Sequence, residues 1–143
     1  MNAVTNREAL EVLEAAIGSM PQVDVQTQHH LSGGMYARTI FIPAGSVIVG
    51  TTHKTDHINV MIGDIEVSTD HGMVRLTGYN VLETKAGMKR HGYAYADTYW
   101  TTVCKTANTD LEAIENELVE EPERLQTRRL ALTKGEALCL GQQ

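Results

Sequence analysis

Between Met35 and Lys105 the sequence is a succession of short β-rich runs, each cut off by glycine, proline or aspartate. No other feature constrains the fold as strongly. The runs are 36-YARTIFI-42, 45-GSVIVG-50, 57-HINVMI-62, 64-DIEVST-69, 73-MVRLTG-78, 80-NVLETK-85 and 98-TYWTTVCK-105. Their β-branched and aromatic residues suit a pleated, half-buried surface. Between them 43-PAG-45, 63-GD-64, 70-DHG-72 and 86-AG-87 supply turn residues. Six or seven short strands at such intervals predict a sandwich or small barrel rather than a parallel α/β sheet.

Helical patterns flank this centre. Thr5 and Glu8 have capping-box spacing ahead of an apolar face of Leu10, Leu13 and Ile17, supported by Val12 and Ala16, and Gly18 and Pro21 end it. A second capping box, Thr109 and Glu112, opens 110-DLEAIENELVEE-121, which Pro122 interrupts. The glutamates of that segment read as its wet face. The expected organisation over 1–143 is a helix within 1–21, a β-barrel over 30–105, a helix over 109–121 and a tail over 122–143. His29 and His30, before Ser32-Gly33-Gly34, read as a solvated link into the barrel, and His71 as part of a hairpin turn.

Bulk properties narrow the function classes. A formal net charge of −6 opposes non-specific nucleic-acid binding, which needs a basic field. No apolar run approaches the roughly 20 residues of a membrane span, and the N-terminus lacks a signal-peptide layout. Cys104 and Cys139 are far apart and read as free thiols, with Cys104 a packing residue. The expected setting is the cytoplasm.

The stretch 53-HKTDHIN-59 concentrates two of the six histidines. On a straight strand His53 and His57 share a face but stand about 13 Å apart, at roughly 3.3 Å per residue. The alternation of Ile58, Val60 and Ile62 against His57, Asn59 and Met61 predicts a strand starting near Asp56 or His57. The preceding 50-GTTHKT-55 is then a bend that brings His53 closer. His57, Asn59 and Met61 face inward, while Ile58, Val60 and Ile62 form an apolar outer set that calls for cover by a second copy. A homodimer or higher homo-oligomer is expected.

The run 39-TIFIPAGSVIVGTTHKTDHINVMIGDIEV-67 resembles the first conserved segment of the cupin superfamily: a Pro-x-Gly turn, a histidine-containing loop, an acidic residue, an apolar strand and a closing glycine. Asp56 stands seven residues before Gly63, as the acidic residue and glycine do there. The run 84-TKAGMKRHGYAYADTYWTTV-103 resembles the second cupin segment. Through YARTIFIPAG, HKTDHINV, KRHGYAYADTYWTTV and TDLEAIENEL the chain is similar, over residues 30 to 120, to small cupin-like proteins of tailed phages and prophages. The resemblance implies a mainly β, cupin-type double-stranded β-helix or jelly-roll barrel, with a helix at each end. It places Asp56 and His91 near family ligand positions. Where a typical cupin has His-x-His, this chain has Gly50, Thr51, Thr52 and His53, with His53 and His57 displaced.

Two readings of the histidines stand. His53, His57 and His91, with Asp56, suit one divalent metal, Zn, Fe, Mn or Ni, in an open site; alternatively they hydrogen-bond in a polar barrel mouth. Asn59 either meets a ligand or satisfies buried groups. Lys89 and Arg90 suit a phosphate or carboxylate, and Tyr93 and Tyr95, with Tyr99 and Trp100, suit stacking on a base or sugar. Trp100 also reads as core or subunit interface. The candidate ligand-binding set is therefore His53, His57, Asn59, Lys89, Arg90, His91, Tyr93 and Tyr95. The favoured function is binding of a small polar molecule, such as a nucleotide or sugar phosphate, with a metal optional. A metal-dependent enzyme and a structural or accessory phage protein are the alternatives.

Overall fold

The computed structural model describes residues 3–20 and 25–125, apart from the side chains of 3–7. Helix α1 (Ala3–Gly18) precedes strands β1 (Thr27–Ser32), β2 (Met35–Ile42), β3 (Val47–Val49), β4 (His57–Thr69), β5 (Gly72–Thr84), β6 (His91–Ala94) and β7 (Thr98–Lys105). Helix α2 (Leu111–Leu118) and a 3₁₀ turn, Pro122–Arg124, follow. The strands form one curled antiparallel sheet in the order β1-β2-β7-β4-β6-β3, with β5 on β4. The chain is mainly β, with a helix on either side of a half-barrel.

The turn residues explain both the match with the expected strands and its failures. Gly63-Asp64 is a corner inside one 13-residue strand, not the turn expected between two. Residues Ile58–Ile62 of β4 pair with β7, and Ile65–Val67 pair with β6. The strand thus serves both walls, bending between them. Gly63 sits there at φ 146°, and a Cβ would collide with Thr98 Oγ1 and stand 2.7 Å from Thr98 Cα. Only glycine meets both demands. Likewise 73–78 and 80–85 fuse into the single strand β5.

His29 and His30 are exposed, as expected, but lie on a strand rather than in a loop. Gly33 and Gly34, both at positive φ, close a hairpin that pairs β1 with β2, and His29 Nδ1 meets Tyr36 Oη at 2.6 Å. The α2 cap is Asp110, whose carboxylate accepts from the Ala113 N–H at 3.0 Å, not Thr109. Helix α1 starts at Ala3, two residues before the expected cap Thr5. Of the α2 glutamates read as a wet face, Glu115 is buried. Most of the 122–143 tail, with Cys139, lies outside the described residues; Cys104 is a buried free thiol, its pKa pushed up to about 11 by burial.

Two apolar clusters bracket the barrel interior. Ile42, Met61, Ile65, Val67, Ala94 and Trp100 fill one end, while Tyr36, Cys104, Ile114, Leu118, Val119 and Leu125 pack beneath α2. Antiparallel partners share a face, so the strand register reads as rows across the inner wall. Ile40, Trp100 and Met61 form an apolar row; Arg38, Thr102 and Asn59 form the next. The polar row lies between the two clusters. On the outer face Ile58 and Ile62 are exposed, beside Tyr79, Val81 and Tyr99. No helix among the described residues is long and apolar enough to cross a membrane.

Candidate functional site

A cavity of about 990 Å³ opens between the inner wall, β3 and α1. His53, His57, Asn59, Arg90 and His91 line it, joined by Arg38, Thr84 and Thr102. Asn59 is the fixed point. Its Oδ1 accepts from Trp100 Nε1 at 3.1 Å and Thr102 Oγ1 at 2.9 Å, and its Nδ2 donates to Thr84 Oγ1 at 2.7 Å. The indole N–H only donates, so it dictates the orientation of the amide. Arg90 Nη2 donates to the same Thr84 hydroxyl at 3.0 Å, and Nη1 to the Ser68 carbonyl at 2.9 Å. Trp100 is therefore core and network together, 9% exposed.

His53 is set by its loop. Lys54 N–H donates to Leu118 O, Glu120 N–H to Thr52 O, Gly87 N–H to His53 O, and His53 forms an isolated bridge with Val119. The bend between His53 and His57 brings their ring centroids to 4.3 Å. Burial, with nearby His57 and Arg38, pushes the His53 pKa down to about 4, so its imidazole is neutral at pH 7. His57 Nδ1 lies 3.0 Å from the Thr55 carbonyl, which can only accept. The N–H is thus on Nδ1, and in the neutral ring Nε2 carries the lone pair. His91 Nδ1 is buried without a hydrogen-bond partner.

Other predicted site residues stand elsewhere. Asp56 accepts from the Ala86 N–H at 2.8 Å and pairs with Lys85, its side chain 63% exposed; the Ala86 bond, then Lys85, lowers its pKa. Lys89 pairs with Glu14 of α1 at 2.8 Å, without the alignment of a hydrogen bond. Arg124 Nη1 also reaches Glu14, at 3.2 Å, so this carboxylate ties α1 to the β5–β6 connection and to the 3₁₀ turn. Tyr93 and Tyr95 are exposed and stack edge to face at 4.9 Å. Tyr95 Oη donates to Glu66, and Arg75 lies over its ring while pairing with Asp64. Strand parity puts Tyr93 and Glu66, which are register partners, on the outer face.

Sequence reasoning overlooked Arg38, Thr84, Thr102 and Glu14. For Arg38 a signal was present: in YARTIFI, Ile40 and Ile42 mark the inward parity, and Arg38 shares it. Among the described residues no group of three His, Cys, Asp or Glu side chains converges tightly enough to hold a metal ion. Asp56, turned outward onto Ala86, cannot complete the expected set from this position. As arranged, these residues do not fit a metal centre.

No family model matches the sequence, and no curated protein does. Solved structures do match. KdgF from Halomonas sp. superposes with a TM-score of 0.50 at 16% identity, over 62% of this chain and 87% of that one. A cupin superfamily protein from Desulfitobacterium hafniense gives 0.49 at 11% identity, over 62% and 83%. A cupin-2 domain containing protein from Shewanella frigidimarina gives 0.46 at 9% identity, over 65% and 91%. The likeness to KdgF covers the curled antiparallel half-barrel. At these identities the likeness is one of fold, and cupin-type barrels, like other widely used folds, do not by themselves specify an activity.

Proposed function

We propose that this cupin-type protein binds a small polar molecule in its barrel, of the size of a nucleotide or sugar phosphate, and releases it unchanged. The observation that carries the reading is the cavity. Its volume of about 990 Å³ is that of a small-molecule pocket, with apolar side chains such as Ile40, Ile48 and Trp100 beside a set of polar and charged ones. The Asn59–Trp100–Thr102–Thr84 network holds the wall rigid, as binding with little reorganisation requires. The resemblance to phage and prophage proteins supports a role in a host cytoplasm. The exposed apolar residues Ile58, Ile62, Tyr79 and Val81 support a homo-oligomer that covers them.

Native mass spectrometry of untagged full-length protein tests the reading. It predicts a copurified small molecule, recovered chemically unchanged, that raises Tm when added back. A protein without cargo whose Tm no small polar molecule moves contradicts it. A catalytic reading has one observation in its favour: His57 Nε2 is available as a base beside the neutral imidazole of His53. Conversion of the captured molecule on incubation, abolished in His57→Gln, would decide for it.

A further inference from the structure

Arg38 enters the cavity from the middle of β2, and its Nε is buried without a hydrogen-bond partner. The ion pairs among the described residues involve Arg75, Lys85, Lys89 and Arg124 but not Arg38. Tyr36 and Glu115 favour its charge, and Glu115, on α2, shares a small void with it. On the α1 side of the cavity, Glu14 and Glu121 are engaged by Lys89 and Arg124. Burial works against the charge of both Arg38 and Arg90.

Arg38 is not alone. Arg90 Nε and His91 Nδ1 are also buried, unpartnered and on the same cavity. Guanidinium nitrogens only donate, so two of these three positions demand an acceptor. Water satisfies a hydrogen bond but brings no countercharge, and a partly buried cation without an ion-pair partner is costly. An oxyanion meets both needs, through the charge-assisted geometry for which a guanidinium fork is suited.

We propose that the cavity takes a small molecule bearing a phosphate or carboxylate, anchored by the Arg38 guanidinium and flanked by Arg90 Nε and His91 Nδ1. The proposal rests on the reading of the cavity as a ligand site. It moves the anchoring cation from Lys89, which Glu14 engages, to a residue on the inner wall.

The test is a thermal-shift and calorimetric panel on the full chain at constant ionic strength. The probes are inorganic phosphate, adenosine against adenosine monophosphate, glucose against its phosphate ester, and gluconate. Anionic members are expected to raise Tm while their neutral counterparts do not. Phosphate-only or gluconate-only responders identify which oxyanion is taken. Arg38→Met should weaken anion binding about 10- to 100-fold, Arg38→Lys should weaken it less, and the exposed Lys85→Met should leave it intact. A cooperative unfolding transition and a wild-type far-UV circular dichroism spectrum, both expected of ligand-free Arg38→Met, separate lost binding from misfolding. Neutral members that bind as well as the anions, or binding that survives Arg38→Met, overturn the Arg38 anchor while leaving the cavity as a ligand site. A wild-type Tm unmoved by every probe overturns both.

Discussion

Arg38 and Asn59 stand in one register row of the inner wall, separated only by Thr102, and they meet burial in opposite ways. Asn59, 2% exposed, has its oxygen and its nitrogen engaged by Trp100, Thr102 and Thr84. Arg38, in the same row, keeps a buried donor with no acceptor. The contrast separates two kinds of inward polar residue. One whose partners lie in the protein belongs to the scaffold. One whose partners are missing belongs to the surface that a ligand completes.

The comparison breaks most easily at Asn59. In Asn59→Leu the Trp100 indole N–H and the Thr102 and Thr84 hydroxyls lose their common partner inside the wall. A loss of about 3 kcal/mol in denaturant unfolding is expected. A change close to zero would mean that the network is not scaffold.

Of comparable or smaller size is a pH effect centred on His53, which Arg38 helps keep neutral. Unfolded, this imidazole titrates near 6.5; folded, its pKa is about 4. Between these values the unfolded chain binds the proton and the folded chain does not. Stability is therefore full above about pH 6.5 and falls as pH drops towards 4, by up to about 3 kcal/mol from this group. His29, also lowered by burial, acts in the same direction. His53→Gln should flatten the unfolding curve over that window, and an unchanged pH profile would contradict the buried, neutral ring.

Arg38→Met sharpens the comparison by the smaller size of its effect. Where Asn59→Leu takes away the partner of three groups, this substitution removes a donor that bonds nothing in the protein, and denaturant unfolding should change by no more than about 1 kcal/mol. The smallest effects belong to residues outside the cavity. Asp56→Asn and Tyr95→Phe should leave Tm and ligand affinity essentially unchanged, since both groups make their bonds at the exposed surface. Lost binding in either would place the site elsewhere.

The β-rich cadence made the architecture legible, because period-2 alternation and turn residues are local properties of the chain. The inward set His57, Asn59 and Met61 was legible for the same reason, and so was the outward exposure of Ile58 and Ile62. What the sequence hid depends on partners distant along the chain. Gly63 reads as a turn until Thr98 is found against it. Lys89 reads as a free cation until α1 brings Glu14 beside it. Tyr93 and Tyr95 form a conspicuous aromatic patch, but only pairing with Glu66 and the approach of Arg75 fix them outside. Arg38 was hidden differently: its inward parity was readable, but its lack of a partner was not.

The most direct measurement is an anomalous difference map from crystals of the full chain soaked in selenate, a tetrahedral oxyanion. The account predicts the strongest peak inside the cavity, within hydrogen-bond reach of the Arg38 guanidinium, and its absence in Arg38→Met. An empty cavity with selenate bound only at surface cations such as Arg75 would contradict it.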